Sequence, residues 1–450
     1  MDNTLSLDAQ TQDSHTDKAK ADAKPRVRTD HHLWGTYILL VIVAVIELFS
    51  ASIQEVTDGN IFMPVLRHGA FILAGLLCML VLQRINYRYI YNFIPWFVVL
   101  CIGLMLAVRV AGTEVNGAMR AIRIAGIPIL PAEFMKLGAA LGTAWILSRN
   151  QEKGRRDVTW KGLWLCMGFT GICGLLLFSQ GLSNTIVVVC IIYSMMLIGG
   201  VGWKKFLIVC AIGAVVGGAG YIYKTHEKKE VVLTPQQERI ITLNKEGSVG
   251  AASGRGNVWN DRMEYYKRPN KHLDKFDVEH QQEQLSFIAQ AHGGLTGVGI
   301  GRSRENARLP LAFSDYIFAI IIEELGLFVG IGILIVYMWI LGRSAKLTML
   351  FRHTIAGVMV MGCAFVIVFQ ALYHMAIVSG VFPVSGQPLP MISKGGISVL
   401  ATSLAFGVML SVARHAVRTT DTKAEQKQEQ NSLPEDARSV NPVAGAVVQQ

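Results

Sequence analysis

Ten apolar runs, at about 34–53, 68–84, 89–110, 131–148, 162–179, 184–201, 204–224, 312–340, 353–378 and 393–413, are separated mostly by short polar stretches. Nothing else in the chain narrows its fold as far. A helix needs about 20 mostly apolar residues to cross the hydrocarbon core of a bilayer, where each backbone N–H and C=O must find its partner inside the protein. A soluble chain of 450 residues would divide into two or three domains. Here 52% of the residues are hydrophobic and 16% charged, against about 25% charged in ordinary globular chains. The pattern predicts an all-α polytopic membrane protein of about ten transmembrane helices.

The polar stretches set the organisation. Residues 1–32 and 417–450 read as disordered tails flanking a membrane domain at 33–416, and residues 225–311 form one long loop between the seventh and eighth spans. Twenty Lys and Arg fall on the segments that share a side with the N-terminus, from Lys18 to Lys423, and five on the short segments opposite: Arg67, Arg109, Arg120, Arg123 and Lys394. By the positive-inside rule both tails are expected in the cytoplasm. The long loop is then extracytoplasmic, since loops beyond about 60 residues cross regardless of charge.

The same distribution excludes other classes. The net charge of +10 resides largely in topology-setting segments rather than on a nucleic-acid-binding face. All seven cysteines lie inside apolar runs without C-x-x-C spacing, so they read as small core residues. The first 30 or so residues hold no apolar stretch, so the first span is expected to act as the insertion signal.

Four clusters of chemistry-bearing residues remain, all on the expected extracytoplasmic side. The first is Asn116-Gly117-Ala118-Met119-Arg120 with Arg123, followed by Glu133 and Lys136 at the entry of the fourth span. Glu133 and Lys136 are three apart, so they share a helix face and can pair, either as part of a site or to fix packing. The second cluster lies in the long loop: Arg262, Pro269, Asp274 and Asp277, then Gly293-Gly294-Leu295-Thr296-Gly297-Val298-Gly299-Ile300-Gly301. No strand precedes these glycines, so tight turning at a membrane surface fits them better than nucleotide binding. His272, His280 and His292 lie near the acids but match no metal-ligand spacing.

The third cluster is Ser314-Asp315-Tyr316, with Glu323 and Glu324 about 12 Å deeper along a helix. Carboxylates at that depth must be protonated, paired or facing water. The fourth combines Pro383, Gly386, Pro388 and Pro390 with Ser393, Lys394, Gly395, Gly396 and Ser398. Its prolines and glycines forbid a regular helix, and irregular backbone at membrane depth is tolerated only where it is packed in protein or lines a cavity.

These residues resemble the SEDS family (shape, elongation, division and sporulation; the FtsW/RodA/SpoVE type) over roughly residues 34–415. LPLAFSDYIFAIIIEELGLFVG is similar to the family's L-P-x-x-x-x-D-F-I-F-A-x-x-x-E-E-x-G, and PVSGQPLPMISKGGIS to P-x-T-G-x-P-L-P-F-x-S-x-G-G-S-S. NGAMR and HGGLTGVGIG match two further motifs, in the family's order. This chain departs from the pattern at Ala121, where the family has tryptophan, and at His374, where asparagine is common. The motif before the sixth span is also replaced, by Gln180-Gly181-Leu182-Ser183-Asn184.

The resemblance implies a peptidoglycan glycosyltransferase that polymerises lipid II on the outer face of the cytoplasmic membrane. The alternatives are a lipid II flippase or an idle division scaffold. It implies a catalytic aspartate shortly before the Gly-rich motif, for which Asp274 fits best and Asp277 is the alternative. Arg120 and Arg123 would hold the departing pyrophosphate, with Glu133, Lys136, Asp315, Ser393, Lys394 and Ser398 binding substrate. Asn116, Gly117, Pro383, Gly386, Pro388, Pro390, Gly395, Gly396, Glu323 and Glu324 would shape the site. No cofactor is evident, although a divalent cation could share the pyrophosphate. The implied partners are a class B penicillin-binding protein and other division proteins. The long polar tails lean towards the FtsW type and the division septum.

Overall fold

A computed structural model of the chain describes residues 29–54, 62–115, 118–124, 127–152, 157–178, 180–226, 262–263, 265–268, 280–309, 312–421, 423–438 and 440. Each expected apolar run forms helix. In chain order these are α1 (His31–Gln54), α2 (Phe62–Arg84), α3 (Tyr87–Ala111), α4 (Pro131–Arg149), α5 (Trp160–Phe178), α6 (Leu182–Ile198) and α7 (Trp203–His226). After the long loop come α8 (Gln281–Gly293), α9 (Ala312–Asp315), α10 (Ile317–Leu325), α11 (Leu327–Leu350), α12 (Thr354–Val378), α13 (Gly396–His415) and α14 (Lys423–Ser432). Among the described residues, seven helices are long and apolar enough to cross a membrane: α1, α2, α3, α5, α11, α12 and α13. The protein is a multi-pass membrane protein.

Contacts between helix ends sort the molecule into two faces. On one, Asp30 at the start of α1 pairs with Arg343 of α11, and Asp157 before α5 pairs with Lys205 of α7. The carbonyl of Ile85, after α2, accepts from Ser411 near the end of α13 on the same face. The opposite face carries α8, α9 and the 381–395 loop, with Gln387 of that loop bonded to Asn184 at the start of α6. These are called below the tail face and the loop face.

Burial separates centre from rim. In α12, 89% of the apolar window is buried within the protein, and in α13 83%, against 22% in both α2 and α3. α4 is buried along almost its whole length, and Ala139, Ala140, Gly142 and Ala144 let neighbouring helices approach it closely. On the rim, Leu66, Leu73, Phe93, Trp96 and Leu175 point outward. In water such an array would be an aggregation hazard; in lipid it is the solvated face.

Three features differ from the sequence expectation. The expected eighth span at 312–340 is not continuous: the helix breaks at Tyr316 and again at Gly326, and α11 then runs on to Leu350. Gly326 has φ 88°, which ends α10. Residues 113–129 form a three-stranded antiparallel sheet, β1 (Thr113–Val115), β2 (Ala118–Ile124) and β3 (Ile127–Ile129), on the loop side of α3 and α4. The C-terminal segment is not without structure as far as residue 440. α14 and a 3₁₀ turn at Glu435–Ala437 pack on the tail face, burying Glu429, Leu433 and Ala437.

Candidate functional site

The 381–395 loop has no helix or strand, because Pro383, Pro388 and Pro390 remove backbone donors and fix φ. Side chains from surrounding helices satisfy its backbone instead. His374 Nδ1 meets the Gln387 carbonyl at 2.6 Å, Gln370 Nε2 donates to the Pro388 carbonyl at 3.1 Å, and Tyr337 donates its hydroxyl to the Pro390 carbonyl at 2.5 Å. The Leu389 N–H donates to Ser393 Oγ at 2.7 Å. Met391 takes φ 68°, a conformation β-carbons disfavour, and is fully buried there.

Beneath this loop lies a closed charge network. Lys136 is fully buried, and its ammonium donates to Glu133 Oε1 at 2.7 Å, Gln370 Oε1 at 3.0 Å and Gln387 Oε1 at 3.2 Å. The three acceptors match the three protons of an ammonium. Gln370 Nε2 also donates to Glu133 Oε2 at 3.1 Å, and Gln387 Nε2 to Asn184 Oδ1 at 2.9 Å. Four segments (α4, α6, α12 and the loop) are thus tied through one buried cation. The cost of desolvating two charges at this depth is offset only because nearly every polar atom is bonded.

A second knot joins the third and fourth sequence clusters. Ser393 Oγ donates to the Ser314 carbonyl at 2.8 Å, and the Lys394 N–H to the Phe313 carbonyl at 2.9 Å. Ser314 Oγ donates to Asp315 Oδ1 at 2.9 Å, leaving the half-buried Asp315 beside the loop. Lys394 also lines a small recess with Glu47, His68 and Phe313. Glu47 is 1% exposed, and neither of its carboxylate oxygens has a hydrogen-bond partner among the described residues. Ser398 is buried one turn into α13.

The Gly-rich segment locks into the break between α10 and α11. The Val298 and Gly299 N–H groups donate to the carbonyls of Glu323 and Glu324, each at 2.9 Å, and the Leu327 N–H to the Gly294 carbonyl at 3.0 Å. A β-carbon on Gly297 (φ 79°) would stand 2.3 Å from the Glu324 carbonyl oxygen, and one on Gly326 2.4 Å from that of Leu295. Only glycine permits this approach. The fully buried Glu323 side chain completes the joint, meeting His292 Nδ1 at 2.8 Å and accepting from the Arg304 N–H at 3.0 Å and from the Ser303 hydroxyl. Glu324 accepts from Ser50 of α1 at 2.5 Å.

The matching family model, the FtsW/RodA/SpoVE cell cycle proteins, covers residues 30–256 and 257–418. The chain belongs to this FtsW/RodA/SpoVE family. It is 27% identical to the probable peptidoglycan glycosyltransferase FtsW of Halomonas elongata, across 93% of this chain and 99% of that one. It is 30% identical to the probable peptidoglycan glycosyltransferase FtsW of Taylorella equigenitalis, across 76% and 85%. Two solved structures share the fold. A chain from a peptidoglycan synthase complex that coordinates polymerisation and crosslinking superposes with a TM-score of 0.62 at 23% identity, over 87% of this chain and 99% of that one. The rod shape determining protein RodA of Thermus thermophilus gives 0.56 at 20%, over 87% and 98%.

Within this FtsW/RodA/SpoVE frame, the sequence-selected residues divide clearly. Glu133, Lys136, Asp315, Ser393, Lys394 and the Pro/Gly loop converge on the loop face. Arg120 and Arg123 fall on β2, the central strand of the sheet before α4, where Arg123 is exposed and paired with Pro128 of β3. Asn116, Gly117, Asp274 and Asp277 lie outside the described residues. The chain flanking the two aspartates is anchored on the loop face. The Tyr265 ring stacks on His280 at 3.8 Å, Tyr266 donates its hydroxyl to the Val381 carbonyl at 2.7 Å, and Arg262 donates to that of Val384 at 3.1 Å. Among the described residues no group of three His, Cys, Asp or Glu could hold a metal ion.

Gln370, Glu47 and His68 were not singled out by the sequence. Glu47 carried a readable signal, as a carboxylate inside an otherwise apolar span. Gln370 carried none, because a neutral amide within a transmembrane helix is unremarkable until its partners are known.

Proposed function

We propose that this protein is a peptidoglycan glycosyltransferase that polymerises lipid II on the outer surface of the cytoplasmic membrane, with the loop face outward and both termini in the cytoplasm. The observation that carries this reading is the convergence of the charged Glu133–Lys136 network, Asp315 and the Ser393–Lys394 turn on one face of a family-typed membrane fold. That face is where a lipid-linked donor would present its anomeric carbon and a growing glycan its hydroxyl.

The chemistry asks for two groups. A base must take the proton as the acceptor's 4-hydroxyl attacks the donor's anomeric carbon, and a carboxylate on the loop, Asp274 or else Asp277, suits that role. Positive charge must meet undecaprenyl pyrophosphate as it leaves. Arg120 and Arg123 suit that role, because a guanidinium offers fixed, paired donors to phosphate oxygens. A divalent ion arriving with the pyrophosphate could share the load. The Lys136 network then supports the loop rather than touching the reacting atoms, since Lys136 is fully buried with all three protons engaged.

The reading extends to a class B penicillin-binding protein as the crosslinking partner at the septum. That proposal is supported by the family and by the likeness to a chain taken from a peptidoglycan synthase complex. The deciding experiment supplies purified protein with lipid II and resolves the products on a gel. Glycan strands that disappear in Asp274→Asn support the proposal. No polymer from the parent, alone or with its crosslinking partner, would leave a flippase or a scaffold.

A further inference from the structure

Three helices that bring polar groups to the loop face, α4, α12 and α13, have their tail-face ends against a single C-terminal segment. We propose that residues 417–440 form a clasp that holds α3, α4, α12 and α13 in register, and that Glu429 is its pin, a positioning residue acting on the loop face through the helices it joins.

Glu429 is 1% exposed on a helix, KAEQKQEQNS, that is polar except for Ala424, and it is the one buried residue of α14. Ten residues, nine of them polar, do not sustain an isolated helix in water, so docking is what holds α14. Glu429 Oε1 accepts the Tyr87 hydroxyl of α3 at 2.6 Å and the Val417 N–H after α13 at 3.3 Å, with Arg88 Nη2 at 3.9 Å. Its other oxygen lies 3.5 Å from His353 Nε2, at the cap of α12.

The rest of the segment repeats the pattern. Asp436 pairs with Arg149, the last residue of α4. Thr354, the first residue of α12, donates to the Val440 carbonyl at 3.1 Å, and Gln426 accepts from Arg352. Leu433 and Ala437 are buried beneath.

Three of the four clasped helices carry polar groups to the loop face. α4 carries Glu133 and Lys136, α12 carries Gln370 and His374, and α13 opens at Gly396 with Ser398. Arg149 and Lys136 lie on one unbroken helix, about 20 Å apart at 1.5 Å per residue. N–H···O hydrogen bonds span only about 2.7–3.2 Å and weaken steeply once the donor angle falls below about 120°, so the Lys136 network tolerates only small axial or rotational slips between α4 and α12. The clasp restrains those slips from the far ends. Burial pushes the Glu429 carboxyl above the usual carboxylate range, as does the nearby Asp421, while the hydrogen bonds from Tyr87 and Val417 and the Arg88 charge act in the opposite sense. Glutamine keeps an acceptor oxygen for Tyr87 and Val417 and is the closest substitute in shape.

The test uses full-length protein in detergent or nanodiscs, comparing parent, Glu429→Ala, Glu429→Gln and Asp436→Ala by hydrogen exchange and by polymerisation kinetics. Glu429→Ala is expected to speed exchange in two places, the clasp itself at 423–438 and the loop at 381–395 on the opposite face. It is also expected to lower kcat for lipid II at least five-fold with KM within two-fold. Glu429→Gln should stay near the parent in both, and Asp436→Ala should fall between. The kinetic arm rests on the proposed function, whereas the exchange arm does not.

Faster exchange at 423–438 with none at 381–395 overturns the clasp, leaving a tail that merely packs. Unchanged exchange at 423–438 overturns Glu429 as its pin. Should Glu429→Ala fail to fold, Asp436→Ala decides on the same two peptides.

Discussion

Lys136 and Gln387 are 251 residues apart in the chain, yet the Lys136 ammonium donates to the Gln387 amide oxygen at 3.2 Å inside a fully buried network. That bond joins α4 to the proline-rich loop, and the Glu133–Lys136 pair is the charge that sustains it.

Removing one member should therefore cost more than removing both. Lys136→Met leaves Glu133 as an uncompensated buried charge and is expected to destabilise by about 3–5 kcal/mol. Lys136→Met combined with Glu133→Gln should recover much of that loss. Thermal melting of the purified variants as a double-mutant cycle reads the coupling, and simple additivity of the two single losses would refute it.

The joint between the Gly-rich segment and the α10–α11 break gives a second contrast. Gly297→Ala places a β-carbon 2.3 Å from the Glu324 carbonyl oxygen, whereas Gly294→Ala, also at positive φ, meets nothing within 4 Å. Gly294→Ala should cost about 1–3 kcal/mol from its positive-φ backbone alone. Gly297→Ala should cost distinctly more and depress the yield of folded protein. Equal melting temperatures for the two would show that the joint yields without strain.

Arg120 is expected to act on substrate rather than on folding. Arg120→Ala should abolish polymerisation while protein level and membrane insertion stay at the parental value, and Arg120→Lys should restore it only in part, because lysine keeps the charge but loses the planar fork. Parental activity in Arg120→Ala would move the assignment to Arg123.

Loss of general-base assistance typically costs about 10²–10⁴-fold. A loss in that range is expected for Asp274→Asn, with Asp277→Asn retaining substantial activity. Both changes remove one negative charge from nearly the same stretch of chain, so charge balance cannot create the difference. The reverse result would make Asp277 the base, and full activity in both would end the loop-aspartate mechanism.

The last prediction concerns pH. Burial alone would raise the Asp30 carboxyl, but hydrogen bonds from Arg343, at 2.6, 3.0 and 3.2 Å, and from the Leu33 N–H outweigh it and hold its pKa below the usual 3.8. A depressed carboxylate pKa contributes stability that is present above 3.8 and lost as pH falls through the lower folded value. The melting temperature of Asp30→Asn should lie below that of the parent at pH 6, and the gap should narrow below pH 3.8. A gap independent of pH would assign the effect to packing.

The sequence by itself determined the class of fold and the position of nearly every long helix. Bilayer thickness and the need to satisfy each backbone polar group leave a twenty-residue apolar run one outcome. The motifs were legible for the same reason: glycines and prolines mark places where the backbone cannot be regular, whatever surrounds them.

Only the tertiary structure decided what those residues touch. Glu133 and Lys136, one turn apart, could be paired from spacing alone, but Gln370 and Gln387 became their partners through helix packing that no local pattern records. The break at Gly326 was hidden because α10 and α11 are both apolar, and hydropathy does not register where a helix stops and restarts. The C-terminal segment misled for the opposite reason. Its composition is that of a solvated tail, and it takes up structure because Tyr87, Arg88 and His353 from distant helix ends converge on the one carboxylate, Glu429, that it buries.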